Sequence, residues 1–438
     1  ISLGLVGSEM CIRDRHYAIP RSRIFISSIY LDEAHVVFEE VDEASTIYTS
    51  TLMMLKIGFK ARIPIVITSA TIGKKIINVL NDIARESHVE LKWIRLSSAN
   101  KRCENIVEIE DKEFVEKIIS IKWDTNIIDY TNVVKEVEEN VRKNKRVFVA
   151  LDSIKRAVEI FDSISERIDS AILIHGLMTK GERKEALSRL KNAKVLVATS
   201  VVEAGVDTSF DILITEGSRI PSVIQRAGRV CRYPNECEEA SIILIKDSLS
   251  STLNDIVKKY NGRICWRLPF DTNEYKGYGK LLDNVQPPNL DHKLMFSLKT
   301  LAFPLLISSK TIGEILERHG YSLARTMLVE LFVGNPQEYI GFDYANLVNN
   351  SITVSWNRLN SLVRKGCIGD LIVFLGDDTV DGFEKICSVS NLVTKKGVFW
   401  RKYIGYINSI YKRYKYSVNA VGFILKEKCY ERGRGIIT

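Results

Sequence analysis

The 438-residue chain is short of several things, and each shortage removes a class of protein. No apolar run approaches the roughly 18 residues that a membrane-spanning helix needs, so no membrane association is expected. The eight cysteines include no C-x-x-C pair, so the spacing indicates neither a zinc ribbon nor a disulfide framework. A reducing cytoplasm is the expected location. Glutamine occurs only at 225, 286 and 337, a usage that resembles a thermophile's. A charged n-region and a small-residue cleavage site are missing from residues 1–15, so that stretch is not expected to be a secretory signal.

That N-terminus, ISLGLVGSEMCIRDR, also lacks an initiator methionine. It resembles translated sequencing adapter, or else a natural disordered tail. Residues 1–15 are therefore set aside as a tail, and the reading frame is expected to have been cut upstream of His16.

What is present fits a multidomain globular protein. The apolar fraction is 45%, and 438 residues exceed what one core accommodates. A net charge of +8 mildly favours an anionic partner. Short β-rich apolar runs at 24–31, 63–68, 147–151, 171–174, 195–199, 212–215 and 241–245 alternate with helical patterns at 46–59, 74–85, 132–143, 154–167 and 182–192. This alternation predicts parallel sheets covered on both faces, with ligand sites at the carboxyl ends of strands. Residues 97–130 are more polar and read as a junction. The alternation fades after about residue 262.

Four segments fall at predicted strand ends or on a predicted helix. In SSIYLDEAHVVFEE, adjacent carboxylates Asp32 and Glu33 divide two tasks of nucleotide hydrolysis: Asp32 holds Mg2+ through water, and Glu33 serves as base. His35 would couple the phosphate state to a neighbouring segment. The bland alternative is a turn with solvated acids. In IPIVITSATIGKK, Ser69, Ala70 and Thr71 are small enough to hydrogen-bond to an acidic site, or simply cap the next helix. In VLVATSVVEAGVDTSFD, Gly205 allows close backbone approach to an anion and Asp207 can accept a ribose hydroxyl; a plain turn is the alternative. In PSVIQRAGRVCRYP, Gln225, Arg226, Arg229 and Arg232 fall at helix-compatible spacing, with Arg229 and Arg232 expected on one face. Two such guanidiniums without a nearby carboxylate suit a γ-phosphate between them; a solvated basic face is the alternative.

In this order, DEAH, SAT, VATSVVEAGVD and QRAGRVCR resemble motifs II, III, V and VI of superfamily-two helicases. VFVALDSIKRA is similar to motif IV, and ILIHGLMTKGERKEAL to the segment that follows it. The likeness spans residues 24–247 and is nearest to the helicase of type I CRISPR interference, a helicase-nuclease. Recombination-type DNA translocases share a V-I-E-x-G-V-D segment and remain an alternative, as does a nucleic-acid-binding module without ATPase activity. The resemblance implies an α/β fold. Two RecA-like parallel-sheet domains are expected, the first incomplete at 16–105 and the second at 106–262, followed by a mixed α+β accessory region at 263–438. It implies an ATP- and Mg2+-dependent translocase on single-stranded DNA, acting with a CRISPR effector (surveillance) complex and with a metal-dependent nuclease located upstream or on another chain. Asp152, Ser153, Thr199 and Ser200 are the DNA-facing candidates by this likeness.

Two departures from the family pattern stand out. The phosphate loop G-x-x-x-x-G-K-[ST] does not occur in the chain, and none of the six histidines is followed by aspartate, as the nuclease doublet requires. The missing half of the nucleotide site is expected to lie in sequence upstream. Finally, KKGVFWRKYIGYINSIYKRYKY at 395–416 interleaves Lys and Arg with seven aromatics and carries no acid. It reads as a nucleic-acid surface, or as a partly buried β-hairpin with snorkelling lysines.

Overall fold

The computed structural model describes residues 27–38, 44–103, 105–202, 207–233, 237–302, 328–339, 344–375, 385–389, 392–394, 397–398, single positions between 403 and 413, and 418–437. Gly205 and most of 395–416 lie outside them. Among the described residues no helix is long and apolar enough to cross a membrane.

In the first unit, β1 (Ile29–Leu31) pairs in parallel with β2 (Ile65–Ile67). The helix Lys74–Glu86 buries Ile76, Leu80 and Ala84, a stripe repeating every four residues, while its other faces carry charge. That stripe packs with Leu52, Leu55 and Phe59 of the helix Ala44–Lys60. Backbone bonds join the two strand ends: Thr68 N–H donates to Leu31 O at 2.8 Å, and Ala34 N–H to Thr68 O at 3.0 Å. DEAH and SAT are thereby held side by side. A small three-stranded sheet follows, formed by β3 (Trp93–Leu96), β4 (Lys101–Cys103) and β5 (Ile106–Ile109).

The second unit is a six-stranded parallel sheet. Its strands are β6 (Lys122–Ile128), β7 (Val147–Ala150), β8 (Ala171–Ile174), β9 (Val195–Ala198), β10 (Ile212–Glu216) and β11 (Glu239–Ile245), in the order β6-β11-β10-β7-β9-β8. Strands β7 to β10 are buried at every position, which is why they stand out as continuous apolar runs. β6 differs: it is an edge strand whose first five residues alternate exposed and buried, so the polar reading of 97–130 missed it. The core of this sheet extends past residue 262, taking in Trp266, Leu268, Tyr278 and Leu282. Because all six strands run the same way, Asp152, His175, Thr199 and Glu216 emerge along one rim.

The C-terminal unit is a five-stranded mixed sheet ordered 351–355, 328–333, 418–425, 368–375, 385–389, with the helix Trp356–Arg364 packed on it. A last hairpin, Tyr430–Glu431 with Gly435–Ile436, leaves this sheet and docks on the parallel-sheet unit. Ile436 N–H donates to Leu177 O at 3.0 Å, Gly433 N–H to Glu182 Oε1 at 2.8 Å, and Arg434 pairs with Asp162 at 3.0 Å. The His175 Nδ1 accepts from Leu177 N–H at 3.1 Å, so Nε2 carries the proton and donates to Arg434 O at 2.9 Å. Burial of His175 pushes its pKa down to about 4.

Cysteine pairing corrects the expectation from spacing. Cys231 is joined to Cys237 and Cys367 to Cys429, with Cα atoms 5.5 and 5.7 Å apart. Residues 62 apart in sequence meet only because the fold returns the chain to the same place, which spacing cannot show.

Candidate functional site

Four short segments, two from each unit, meet between the first two sheets. From the first unit come Asp32, Glu33 and His35 after β1, and Ser69, Ala70 and Thr71 after β2. The Asp32 Oδ1 accepts from Thr68 Oγ1 at 2.6 Å and from Glu33 N–H at 2.9 Å. These bonds, the Thr68 hydroxyl foremost, hold its carboxyl below the ordinary carboxylate range. Asp32 is therefore charged, and Oδ2 has no hydrogen bond among the described residues. Glu33 sits at φ 49°, in the left-handed region, and this turns its side chain out of the strand's alternation. The His35 Nδ1 lies 3.2 Å from Glu33 Oε2 and 3.3 Å from Ser69 Oγ. Burial lowers the His35 pKa, against the attraction of Glu33. The Ser69 hydroxyl also accepts from Thr71 N–H at 3.2 Å.

From the second unit comes the helix Ile220–Ala227, opened by Pro221 and buried along most of its length. Its Gln225 reaches across, with Nε2 donating to Thr71 Oγ1 at 3.3 Å. Arg226 points the other way, into the sheet, and is only 1% exposed. It donates to Asp152 Oδ1 at 2.6 Å, to Thr215 Oγ1 at 2.9 Å and to Glu216 O at 3.3 Å.

Arg229 and Arg232 do not share a helix face, contrary to their spacing. The helix ends at Ala227, Gly228 caps it, and Cys231 adopts φ 46°, so both arginines lie on the turn that follows. Carboxylates are near them after all. Arg232 Nε donates to Asp207 Oδ1 at 2.9 Å, and Tyr233 OH donates to the same oxygen at 2.7 Å. Burial and the like charge of Arg232 depress the Arg229 guanidinium, opposed by Glu33 across the cleft and by Asp207.

The remaining candidates lie on the rim of the parallel sheet. Asp152 is held by Arg226 and by the Ser218 hydroxyl at 2.5 Å, and its backbone N–H donates to Glu216. Glu216 also pairs with Arg156. Ser153 is the N-cap residue of the helix Ile154–Ser165, with no side-chain cap bond. Thr199 is buried and Ser200 exposed. Of the basic-aromatic stretch, Tyr403 is described, and its ring packs 5.3 Å from Trp356 and 5.8 Å from Phe423.

Two residues at the cleft had no sequence signal. Tyr278 OH donates to Ala70 O at 3.1 Å, a second bond across the units. Arg267 donates to Cys231 O at 2.8 Å and so pins the turn between the two arginines. Both come from the stretch after residue 262, where no recurring pattern marks them.

No group of three or more His, Cys, Asp or Glu side chains able to enclose a metal occurs among the described residues. Asp32 by itself still fits Mg2+, which is commonly held by one or two carboxylates with waters and substrate phosphates completing its shell.

Parts of the chain are similar to known proteins. Residues 143–235 match the profile of the family described as CRISPR-associated nuclease/helicase Cas3, C-terminal. The CRISPR-associated nuclease/helicase Cas3 of Methanothermobacter thermautotrophicus is 26% identical over 192 residues, 42% of this chain and 21% of that protein. A putative counterpart in Methanocaldococcus jannaschii is 27% identical over 180 residues, 37% of this chain and 24% of that protein. The chain thus matches about a quarter or less of the length of these relatives. The crystal structure of T. fusca Cas3-ATP superposes with a TM-score of 0.52 at 16% identity, over 78% of this chain and 49% of that one. This supports the same mixed α/β fold with RecA-like sheets.

Proposed function

We propose, from the premise that the chain contains a Cas3-like helicase part, that it forms the motor cleft of an ATP-driven single-stranded DNA helicase in CRISPR interference. One observation carries the reading: Gln225 Nε2 of the second unit donates to Thr71 Oγ1 of the first, which sets the helix preceding Arg229 against the SAT segment that also contacts His35. Such an arrangement suits phosphoryl transfer, in which a carboxylate orients water on one side and guanidiniums meet developing phosphate charge on the other.

In this reading Glu33 orients the attacking water and accepts its proton, while His35, against Glu33 and Ser69, links the state of that carboxylate to the SAT segment. Asp32 would hold Mg2+, which when bound neutralises phosphate charge. Arg229 and Arg232 reach the γ-phosphate, with Arg232 first leaving Asp207. Thr199 and Ser200, on the rim, contact the DNA backbone; Asp152 and Ser153 belong to the same rim, where Asp152 also anchors Arg226. The domain limits 16–105, 106–262 and 263–438, a CRISPR surveillance complex as partner, a separate or upstream nuclease and a cytoplasmic location complete the proposal.

The chain contains no G-x-x-x-x-G-K-[ST] loop, so the phosphate grip that such a loop supplies is not among these residues, and Arg229 and Arg232 are the γ-phosphate contacts this sequence offers. The test is DNA-stimulated ATP hydrolysis. The chain as given should be silent, whereas a form completed with a phosphate-loop strand should hydrolyse ATP only with single-stranded DNA and Mg2+, and lose this with Glu33→Gln. A completed form that folds but shows no DNA-dependent turnover would refute the reading.

A further inference from the structure

The arginine turn carries a second chemistry. Cys231 lies between Arg229 and Arg232, and Cys237 lies six residues further on. Their Cα atoms are 5.5 Å apart, inside the range a disulfide spans without moving the backbone. Cys231 is fully buried at 0% exposure, whereas Cys237 is half-buried and open to a small reagent. Both sulfurs lie near the carbonyl of Glu239, at 3.5 and 3.2 Å, so each has an acceptor when it is a thiol. Arg229 and Arg232 flank Cys231 in the chain, and Arg267 donates to the Cys231 carbonyl.

We propose that Cys231 and Cys237 form a reversible thiol–disulfide site that locks and releases the turn bearing Arg229 and Arg232. The oxidant is a small-molecule disulfide. The Cys237 thiolate attacks one of its sulfurs, breaking that S–S bond and releasing one thiol. The Cys231 thiolate then attacks the Cys237 sulfur of the mixed disulfide and displaces the second thiol. Two electrons pass from the protein to the reagent, and the two cysteine protons end on the released thiols. Reduction by a dithiol runs the steps backwards. When bonded, the cross-link ties the turn to the start of β11 and holds Arg232 on Asp207. The consequence for turnover rests on the phosphate-facing role proposed above for the two arginines; the exchange itself does not.

The experiment equilibrates this chain in graded ratios of reduced to oxidised dithiothreitol, quenches with acid, alkylates, and maps peptides by mass. Cys231 and Cys237 should lose alkylation together at one ratio and appear as one cross-linked peptide. In the oxidised form the amides of 229–233 should exchange about tenfold more slowly, because the cross-link limits local opening. Cys237→Ser should abolish both effects and leave Cys367–Cys429 intact. The proposal is overturned if the two cysteines are alkylated independently, if Cys237 pairs elsewhere, or if exchange at 229–233 ignores the redox state. These readouts need no nucleotide, so failure of the ATP reading leaves them unchanged. In a form that hydrolyses ATP, oxidation should lower turnover about tenfold; equal turnover in both redox states overturns the regulatory part.

Discussion

Arg226 and Arg229 are three residues apart, and replacing each by alanine should have opposite consequences. Arg226 is 1% exposed and bonds Thr215, Glu216 and Asp152 inside the second unit. Its partner Asp152 is pushed up by burial, but Arg226 and Ser218 outweigh that and keep it charged. Arg226→Ala therefore leaves a carboxylate without its counter-ion, two acceptors without a donor, and a void. Breaking one side of a buried ion pair costs about 3–5 kcal/mol. Asp152 retains the Ser218 hydroxyl and some solvent contact, its side chain being 30% exposed, which places the loss near the lower end, about 3 kcal/mol. Arg229 sits half-buried on a turn, so Arg229→Ala should cost about 1 kcal/mol or less. A chain with several units does not unfold in one step. The assay is accordingly hydrogen exchange of β7 and β10, read by mass at the peptide level. About 3 kcal/mol corresponds to roughly a hundredfold faster exchange there for Arg226→Ala, with little change for Arg229→Ala. In the double variant Arg226→Ala with Asp152→Ala, part of the loss should return. Equal exchange in the two single variants would refute the division between an anchoring arginine and a cleft-facing one.

Three further outcomes are expected. In the ATP-hydrolysing form, Arg229→Ala should lower kcat at least about a hundredfold with little change in nucleotide-free DNA binding, because charge meets the finger only as phosphoryl transfer proceeds; steady-state kinetics and a DNA titration check this, and near-normal turnover with salt-sensitive DNA affinity would point to a solvated basic face. His175 has its pKa pushed down from 6.5 to about 4, so the unfolded chain binds the proton more readily; the stabilisation is complete above about pH 6.5 and is lost as pH falls toward 4, by up to about 3 kcal/mol, and protection of the Tyr430–Ile436 hairpin followed over that range should show the loss, flattened in His175→Gln. Gly435 has φ +76°, and a Cβ there would lie 2.5 Å from Leu177 O, so Gly435→Ala should release the hairpin and expose it to proteolysis while the six-stranded sheet stays protected.

The sequence by itself determined the parts whose signal is local. Continuous apolar runs marked β7 to β10 because those strands are buried on both faces, and a four-residue apolar stripe marked the helix Lys74–Glu86. The order of DEAH, SAT, VATSVVEAGVD and QRAGRVCR gave the resemblance to a helicase, and residues 143–235 are similar to the Cas3 C-terminal family, since each motif is a short run that needs no knowledge of its neighbours in space. Tertiary structure decided what depends on distant residues. β6 is an edge strand with one wet face, so its alternation resembled a polar junction. Arg229 and Arg232 left the helix face because the helix ends at Ala227 with Gly228 as its cap, and the left-handed Cys231 turns the chain between them. Asp207 neutralises Arg232 from a separate turn, and Tyr278 and Arg267 enter the cleft from a stretch with no motif. Cys231 met Cys237, and Cys367 met Cys429, through the path of the folded chain. Periodicity reports the environment of one residue at a time, whereas ion pairs, crossings between sheets and disulfides are properties of two residues, and only folding sets the distance between them.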